Sequence, residues 1–155
     1  MNFQIRKATV DDIEALVEFN QAMAFETEGK SLTAGTLTNG VRAVFDSPGK
    51  GWYLIAVHNG VRAGSLLITP EWSDWRNADY WWIQSVYVRP EYRSKGVYTA
   101  LHRHVEELSR HDDGVCGLRL YVDSDNKVAR TVYKKLGLVP SRYDLYEIDK
   151  PSKNE

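Results

Sequence analysis

The chain opens on an alternation, Phe3-Gln4-Ile5-Arg6-Lys7-Ala8, and a period of two marks a half-buried strand. From Thr9 the period changes. Ile13, Leu16, Val17, Phe19 and Met23 recur at helical spacing behind Thr9 or Asp11 as N-cap, which predicts an amphipathic helix to about Glu26. A weaker helical pattern over 33–51 ends at Ser47-Pro48-Gly49. Two β-rich runs follow, 52–58 and 61–69, joined by Asn59-Gly60, the strongest short hairpin signal. Residues 70–79 read as a loop. Residues 80–88, "YWWIQSVYV", are apolar on both faces and predict a central strand. A short polar loop leads into a helix ending near Arg110, then a strand over 116–124, then a helix from Asn126 with Gly137 as its C-cap. Residues 139–149 predict one or two closing strands, and the last residues a frayed polar tail at 151–155. The order β-α-α-β-β-β-α-β-α-β(-β) implies an α/β fold with a mixed central sheet and helices on both faces. No repeat or internal linker divides residues 1–150, which read as one domain.

Composition narrows the function. The 155 residues carry a formal charge of -1 with a pI near 6.4, so the chain has no electrostatic footprint for nucleic acid or an anionic membrane. The single cysteine, Cys116, excludes an internal disulfide and fits a reducing compartment. The first residues contain no apolar core of a secretory signal, and no apolar run approaches the roughly 18 residues of a membrane helix. The expectation is a cytoplasmic protein. Four of the five tryptophans crowd between Trp72 and Trp82, and this is the one unusual compositional feature.

The strand that breaks at Arg89-Pro90 raises the main chemical question. A helix N-terminus presents unpaired N–H groups and a partial positive charge, which together suit an anion. Arg93, Ser94, Lys95 and Gly96 lie where those groups point. Gly96 either lets a ligand approach the backbone closely or supplies a positive φ. The chemistry suits a phosphate or diphosphate; the plain alternative is a solvated basic turn. The common phosphate-loop and dinucleotide glycine patterns are both absent.

The stretch resembles motif A of the GNAT superfamily of acyl-CoA-dependent N-acetyltransferases, a strand and turn followed by Q/R-x-x-G-x-G/A at a helix start. Arg93, Ser94, Lys95, Gly96 and Val97 match, and Tyr98 replaces the small residue. Asn126, Ala129, Tyr133 and the run from Lys134 to Leu138 match the family's second motif, with Leu138 in place of Phe. The element order agrees over essentially the whole chain.

The resemblance implies acetyl-CoA as the acetyl donor and a primary amine of a small molecule or protein as acceptor. It implies that Arg93 to Tyr98 hold the diphosphate and that Val86, Tyr87 and Val88 pair with the pantetheine arm. Asn126 and Ala129 become cofactor contacts, with Asn126 also able to cap its helix. Tyr133 becomes the acid that protonates the leaving thiolate, set against a plain core tyrosine. Many family members carry Glu at the position of Gln84. Glutamine takes no proton but can hold a water or the acceptor, which leaves Glu26, Glu28 or bulk solvent for base work.

Trp72, Trp75, Trp81 and Trp82, interleaved with Glu71, Asp74 and Asp79, suit a cationic or amino-bearing acceptor; the alternative is strand packing and a dimer surface. Trp72 and Trp75 are expected to line the acceptor site beside Glu26 or Glu28. A homodimer follows from the family's habit. Cys116 lies in a strand pattern and reads as a buried, inert thiol. His102 and His104, two apart on a helix, do not face each other, and His58 is expected to be exposed; no metal site is indicated. A non-catalytic acyl-CoA-binding module remains the rival reading, favoured by Gln84 and Tyr98.

Overall fold

The computed structural model describes residues 1–151. It divides into two compact units, Met1–Leu120 and a second beginning at Tyr121. The first holds a five-stranded sheet in the order β1-β2-β3-β4-β5, with β1 Gln4–Lys7, β2 Trp52–His58, β3 Val61–Ser73, β4 Ala78–Val88 and β5 Val115–Leu120. The first four strands pair antiparallel. β5 joins β4 in parallel through α3, Val97–Arg110. The sheet is therefore mixed, as the element order implies.

Alternation along each strand sends apolar side chains to two separate layers. On one face Leu54, Leu66, Ile68, Trp81 and Ile83 pack with Val97, Leu101 and Val105 of α3. On the other, Tyr53 and Ile55 pack with Leu16 of α1, Ile13–Glu28, and Val41 of α2, Ala34–Asp46. Trp81 fills its layer edge-on against Trp52, with ring centroids 4.8 Å apart. Each buried large side chain contributes about 1.5–3 kcal/mol, so the two layers hold both helix sets to the sheet.

Local signals explain most of these elements. Asn59 and Gly60 take φ of 48° and 77°, the paired left-handed geometry that a two-residue hairpin turn demands. Helix α1 starts later than its sequence pattern: Val10–Asp12 form a 3-10 turn in which Asp12 accepts the Thr9 N–H at 2.8 Å. Asp12 is fully buried, and Arg6 and Arg62 hold its two oxygens, each with a contact at 2.7 Å.

Several expectations are corrected. Residues 70–79 are not a loop: β3 runs to Ser73, β4 starts at Ala78, and only residues 74–77 turn. Cross-strand pairing carries the ladder through Pro70, whose partner is Trp81. β5 stops at Leu120, short of Ser124. Cys116 is half-buried rather than buried, because β5 is an edge strand. His58 is half-buried, its Nδ1 2.9 Å from the Asn2 carbonyl oxygen.

The second unit carries α4, Lys127–Lys135, started by Asn126, whose side chain accepts the Ala129 N–H at 3.1 Å. Gly137 follows at a positive φ, as a helix stop requires. The closing strand is absent, since residues 138–151 form none. Pro140 offers no amide donor, and Tyr143, Leu145, Tyr146 and Ile148 are all exposed, so the apolar alternation has no packed face. The expected frayed tail falls, beyond Pro151, outside the described residues.

Candidate functional site

The site begins with a defect in β4. Ser65 pairs with Tyr87 while Leu67 pairs with Gln84, so Ser85 and Val86 both stand opposite Leu66. That is a β-bulge, and Ser85 adopts φ of 50° there. The extra residue inverts the alternation. Trp81 and Ile83 face the α3 layer, and so do Val86 and Val88; Tyr87 turns to α1, where its ring lies 5.1 Å from that of Phe19.

The bulge coincides with the end of parallel pairing. β5 accompanies β4 from Asp79 to Ile83 and no further. Gln84 to Val88 thus have no β5 partner, and apart from the Val88 carbonyl, which Arg93 takes, this edge is open to an extended chain. This half-paired segment opens directly on the turn after Pro90.

Arg93 to Gly96 are exposed in that turn. Ser94 and Gly96 take φ of 60° and 85°, left-handed conformations that follow extended backbone at Arg93. Gly96 is the N-cap of α3 and needs no Cβ clearance, so its glycine serves the positive φ rather than space. The first helical bond runs from the Ala100 N–H to the Gly96 carbonyl at 3.0 Å, which leaves the amides of Gly96, Val97 and Thr99 without helical acceptors. Lys95 donates to the Glu91 carbonyl at 2.8 Å. A helix N-terminus with two basic side chains beside it suits a diphosphate.

Glu26 lies here, at the end of α1. It accepts from Arg93 at 2.7 Å, while Arg93 Nε donates to the Val88 carbonyl at 3.0 Å and its guanidinium stands over the Tyr87 ring. Burial, and then the Glu26 charge, raises the Tyr87 phenol above its ordinary value. Glu28 is exposed and pairs with Lys30, at 3.8 Å. Gln84 donates through Nε2 to Thr69 Oγ1.

The structure does not bring Trp72 and Trp75 to this place. They sit at the hairpin tip, beyond the Ala78 end of β4, whereas Arg93 and Glu26 adjoin its Val88 end, roughly 30 Å of strand away. Trp75 is 95% exposed and Trp72 63%. The aromatic and acidic groups nearer Gln84 already hold a cation. Arg119 lies 3.5 Å from the Tyr80 ring centroid and 3.2 Å from Glu71, which also accepts from Trp82 Nε1 at 3.1 Å. Sequence pattern could not show this set, because β5 and the hairpin meet only through sheet pairing.

A second unforeseen set runs along α3. The Tyr98 hydroxyl is 3.0 Å from His102 Nδ1, and His102 Nε2 is 2.8 Å from Glu106. His102 is 1% exposed, and burial lowers its pKa against the opposing pull of Glu106. The signal was the spacing i, i+4, i+8. Among the described residues no three or more His, Cys, Asp or Glu side chains cluster as metal ligands would.

In the second unit, α4 places Ala129 and Tyr133 one turn apart, with Asn126 at the cap. Tyr133 is half-buried, and burial raises its pKa above the ordinary phenol value.

With this geometry in view, comparison with known proteins is informative. A family model described as acetyltransferase (GNAT) matches residues 15–138. A crystal structure of a possible acetyltransferase from Clostridium difficile 630 shares 37% identity, covers 98% of this chain and 100% of its own, and superposes with a TM-score of 0.90. A predicted acetyltransferase with acetyl-CoA, from Clostridium acetobutylicum, shares the fold at 19% identity, with 95% and 96% of the two chains covered and a TM-score of 0.75. Thialysine N-epsilon-acetyltransferase from Bos taurus is 36% identical over 66 residues, which is 43% of this chain but only 38% of that protein.

Proposed function

The chain belongs to the acetyltransferase (GNAT) family, and we propose that it transfers the acetyl group of acetyl-CoA directly to a primary amine of a small acceptor, with residues 1–150 working as one catalytic domain. The observation that carries this reading is the half-paired end of β4. From Gln84 to Val88 it has no β5 partner, and it leads into the Arg93–Gly96 turn at the start of α3.

Acetyl-CoA supplies an acyl thioester. In this reading the amides from Ser94 to Thr99 hold its diphosphate, and the free edge of Val86 to Val88 pairs with its pantetheine arm, fixing the acyl carbon beside Gln84. Arg93 adds charge, and Glu26 orients Arg93 rather than taking a proton. Lys95 adds charge from across the turn. Gln84, held by Thr69, orients the acceptor or a water that carries off the amine proton. A C–N bond forms, the C–S bond breaks, and Tyr133 gives the departing sulfur its proton. Asn126 and Ala129 are assigned as cofactor contacts from the start of α4.

The protein needs no metal for this chemistry and no nucleic acid as partner. Among the described residues no helix is long and apolar enough to cross a membrane, and we place the protein in the cytoplasm. We also propose a homodimer that covers the exposed indoles of Trp72 and Trp75. The rival, a binding module without turnover, is favoured by Gln84, which cannot act as a base.

Acetyl-CoA at a hundredfold excess over its Kd should stabilise the protein by about 2.7 kcal/mol through linkage. Gly96→Asp, which strains the positive φ and adds a negative charge to the turn, should abolish the shift in melting temperature. An undiminished shift in the variant would move the cofactor elsewhere. Release of free CoA with a panel of polyamines, amino acids, aminoglycosides and peptides then separates an enzyme from a silent binder.

A further inference from the structure

Tyr98 is the residue by which this chain departs from motif A, and it stands at the second position of α3, on the turn that the proposed function assigns to the diphosphate. A phenol there is long enough to cover one helical turn, about 5.4 Å, and could lie across the turn's amides. It does not. Its hydroxyl is engaged farther along α3, 3.0 Å from His102 Nδ1, and its ring packs against the apolar layer beneath the helix. His102 Nε2 is in turn 2.8 Å from Glu106.

The proton positions follow from the partners. A carboxylate only accepts, so Nε2 carries the hydrogen and donates to Glu106. In the neutral imidazole Nδ1 is then a lone pair, and the Tyr98 hydroxyl donates to it. His102 is 1% exposed while the Glu106 side chain is 35% exposed, so the buried ring is held from both ends by one helix stripe.

We propose that His102 and Glu106 are positioning residues that hold the Tyr98 phenol along α3, away from the Arg93–Gly96 turn, and so keep that turn's amides open to the diphosphate of the acyl donor. This inference rests on the diphosphate reading of the turn. Tyr98 itself contributes its backbone, not its hydroxyl, to the site. A large residue is accommodated where the motif calls for a small one because the same helix provides the groups that hold it aside.

The test is a double-mutant cycle on acetyl-CoA affinity, measured by calorimetry. Breaking the tether with His102→Leu should weaken binding about tenfold, since an unheld phenol competes for the turn. Tyr98→Ala alone removes the phenol and sets the reference level for the double variant. The double variant should recover to the level of Tyr98→Ala, a rescue that a merely structural role for His102 would not produce. Glu106→Leu, on a half-exposed side chain, repeats the cycle should His102→Leu fail to fold, with a smaller loss and the same rescue. If neither tether variant weakens binding, or Tyr98→Ala fails to rescue, the positioning role is wrong. Gly96→Asp separates the two readings. If it binds acetyl-CoA as well as the parent, the turn is not the diphosphate site; if it loses binding while the cycle shows no rescue, only the tether fails.

Discussion

Tyr133 and Glu26 show how a side chain's surroundings decide between chemical roles. Glu26 sits beside the turn, but its carboxylate is engaged with Arg93 at 2.7 Å, and Arg93 also holds the Val88 carbonyl. The guanidinium occupies that carboxylate and is itself tied to the end of β4, so Glu26 serves the shape of the turn. Tyr133 is the opposite case. A phenol is protonated at neutral pH and burial pushes its pKa further up, which suits a group that must still be an acid when a thiolate departs. Tyr133→Phe removes that proton. Its kcat should fall about a hundredfold, at the lower end of general acid effects, while acetyl-CoA affinity stays within about twofold of the parent. Steady-state kinetics alongside calorimetry checks this; an unchanged kcat would assign the proton to water.

The elements carry the lesson about what sequence can and cannot convey. Asn59-Gly60 announced its hairpin because only a left-handed pair fits that turn, and Gly96 announced the start of α3 for a similar local reason. Asn126 announced its cap. The Ser85 bulge left no such mark, because a strand that is apolar on both faces does not show an inserted residue as a broken alternation. The extension of β3 and β4 past residue 70 was hidden by Pro70 and the polar residues of the tip, although cross-strand pairing tolerates both. The Glu26–Arg93 pair spans 67 positions and is created by packing α1 over β4, so no local pattern could contain it. The tip itself is now the outlier among the elements. Trp75 is 95% exposed in a four-residue turn remote from Arg93. Trp75→Ala should therefore change unfolding free energy by less than about 0.5 kcal/mol and leave acetyl-CoA binding intact, while sedimentation shows a dimer giving way to monomer. A raised acceptor KM with the dimer unchanged would instead return the tip to the acceptor site.

For the whole molecule, the response to acid follows from two buried groups on opposite faces of the sheet. Asp12, at the start of α1, is held well below the usual carboxylate range, first by its hydrogen bond to Arg6, with burial opposing and the Thr9 amide and Arg62 adding to the effect. A depressed folded pKa means the unfolded chain binds the proton more readily. Asp12 thus stabilises the fold above the ordinary carboxylate pKa of about 4 and loses that contribution as the pH falls below it. His102, in α3, is also depressed, first by burial, with Glu106 opposing and Arg103 reinforcing. Its contribution is complete above the ordinary value of about 6.5 and declines as the pH drops beneath it. The melting temperature should therefore fall in two stages on acidification, one beginning below about pH 6.5 and one below about pH 4. His102→Gln should flatten the first stage alone. Asp12→Asn should flatten the second and cost about 2 kcal/mol at neutral pH, less than the 3–5 kcal/mol of a fully buried pair because both arginines can turn to solvent. A wild-type melting temperature that stays level from pH 7 to 5 would mean that His102 charges as readily in the fold as in the unfolded chain, and the neutral imidazole inferred between Tyr98 and Glu106 would have to be given up.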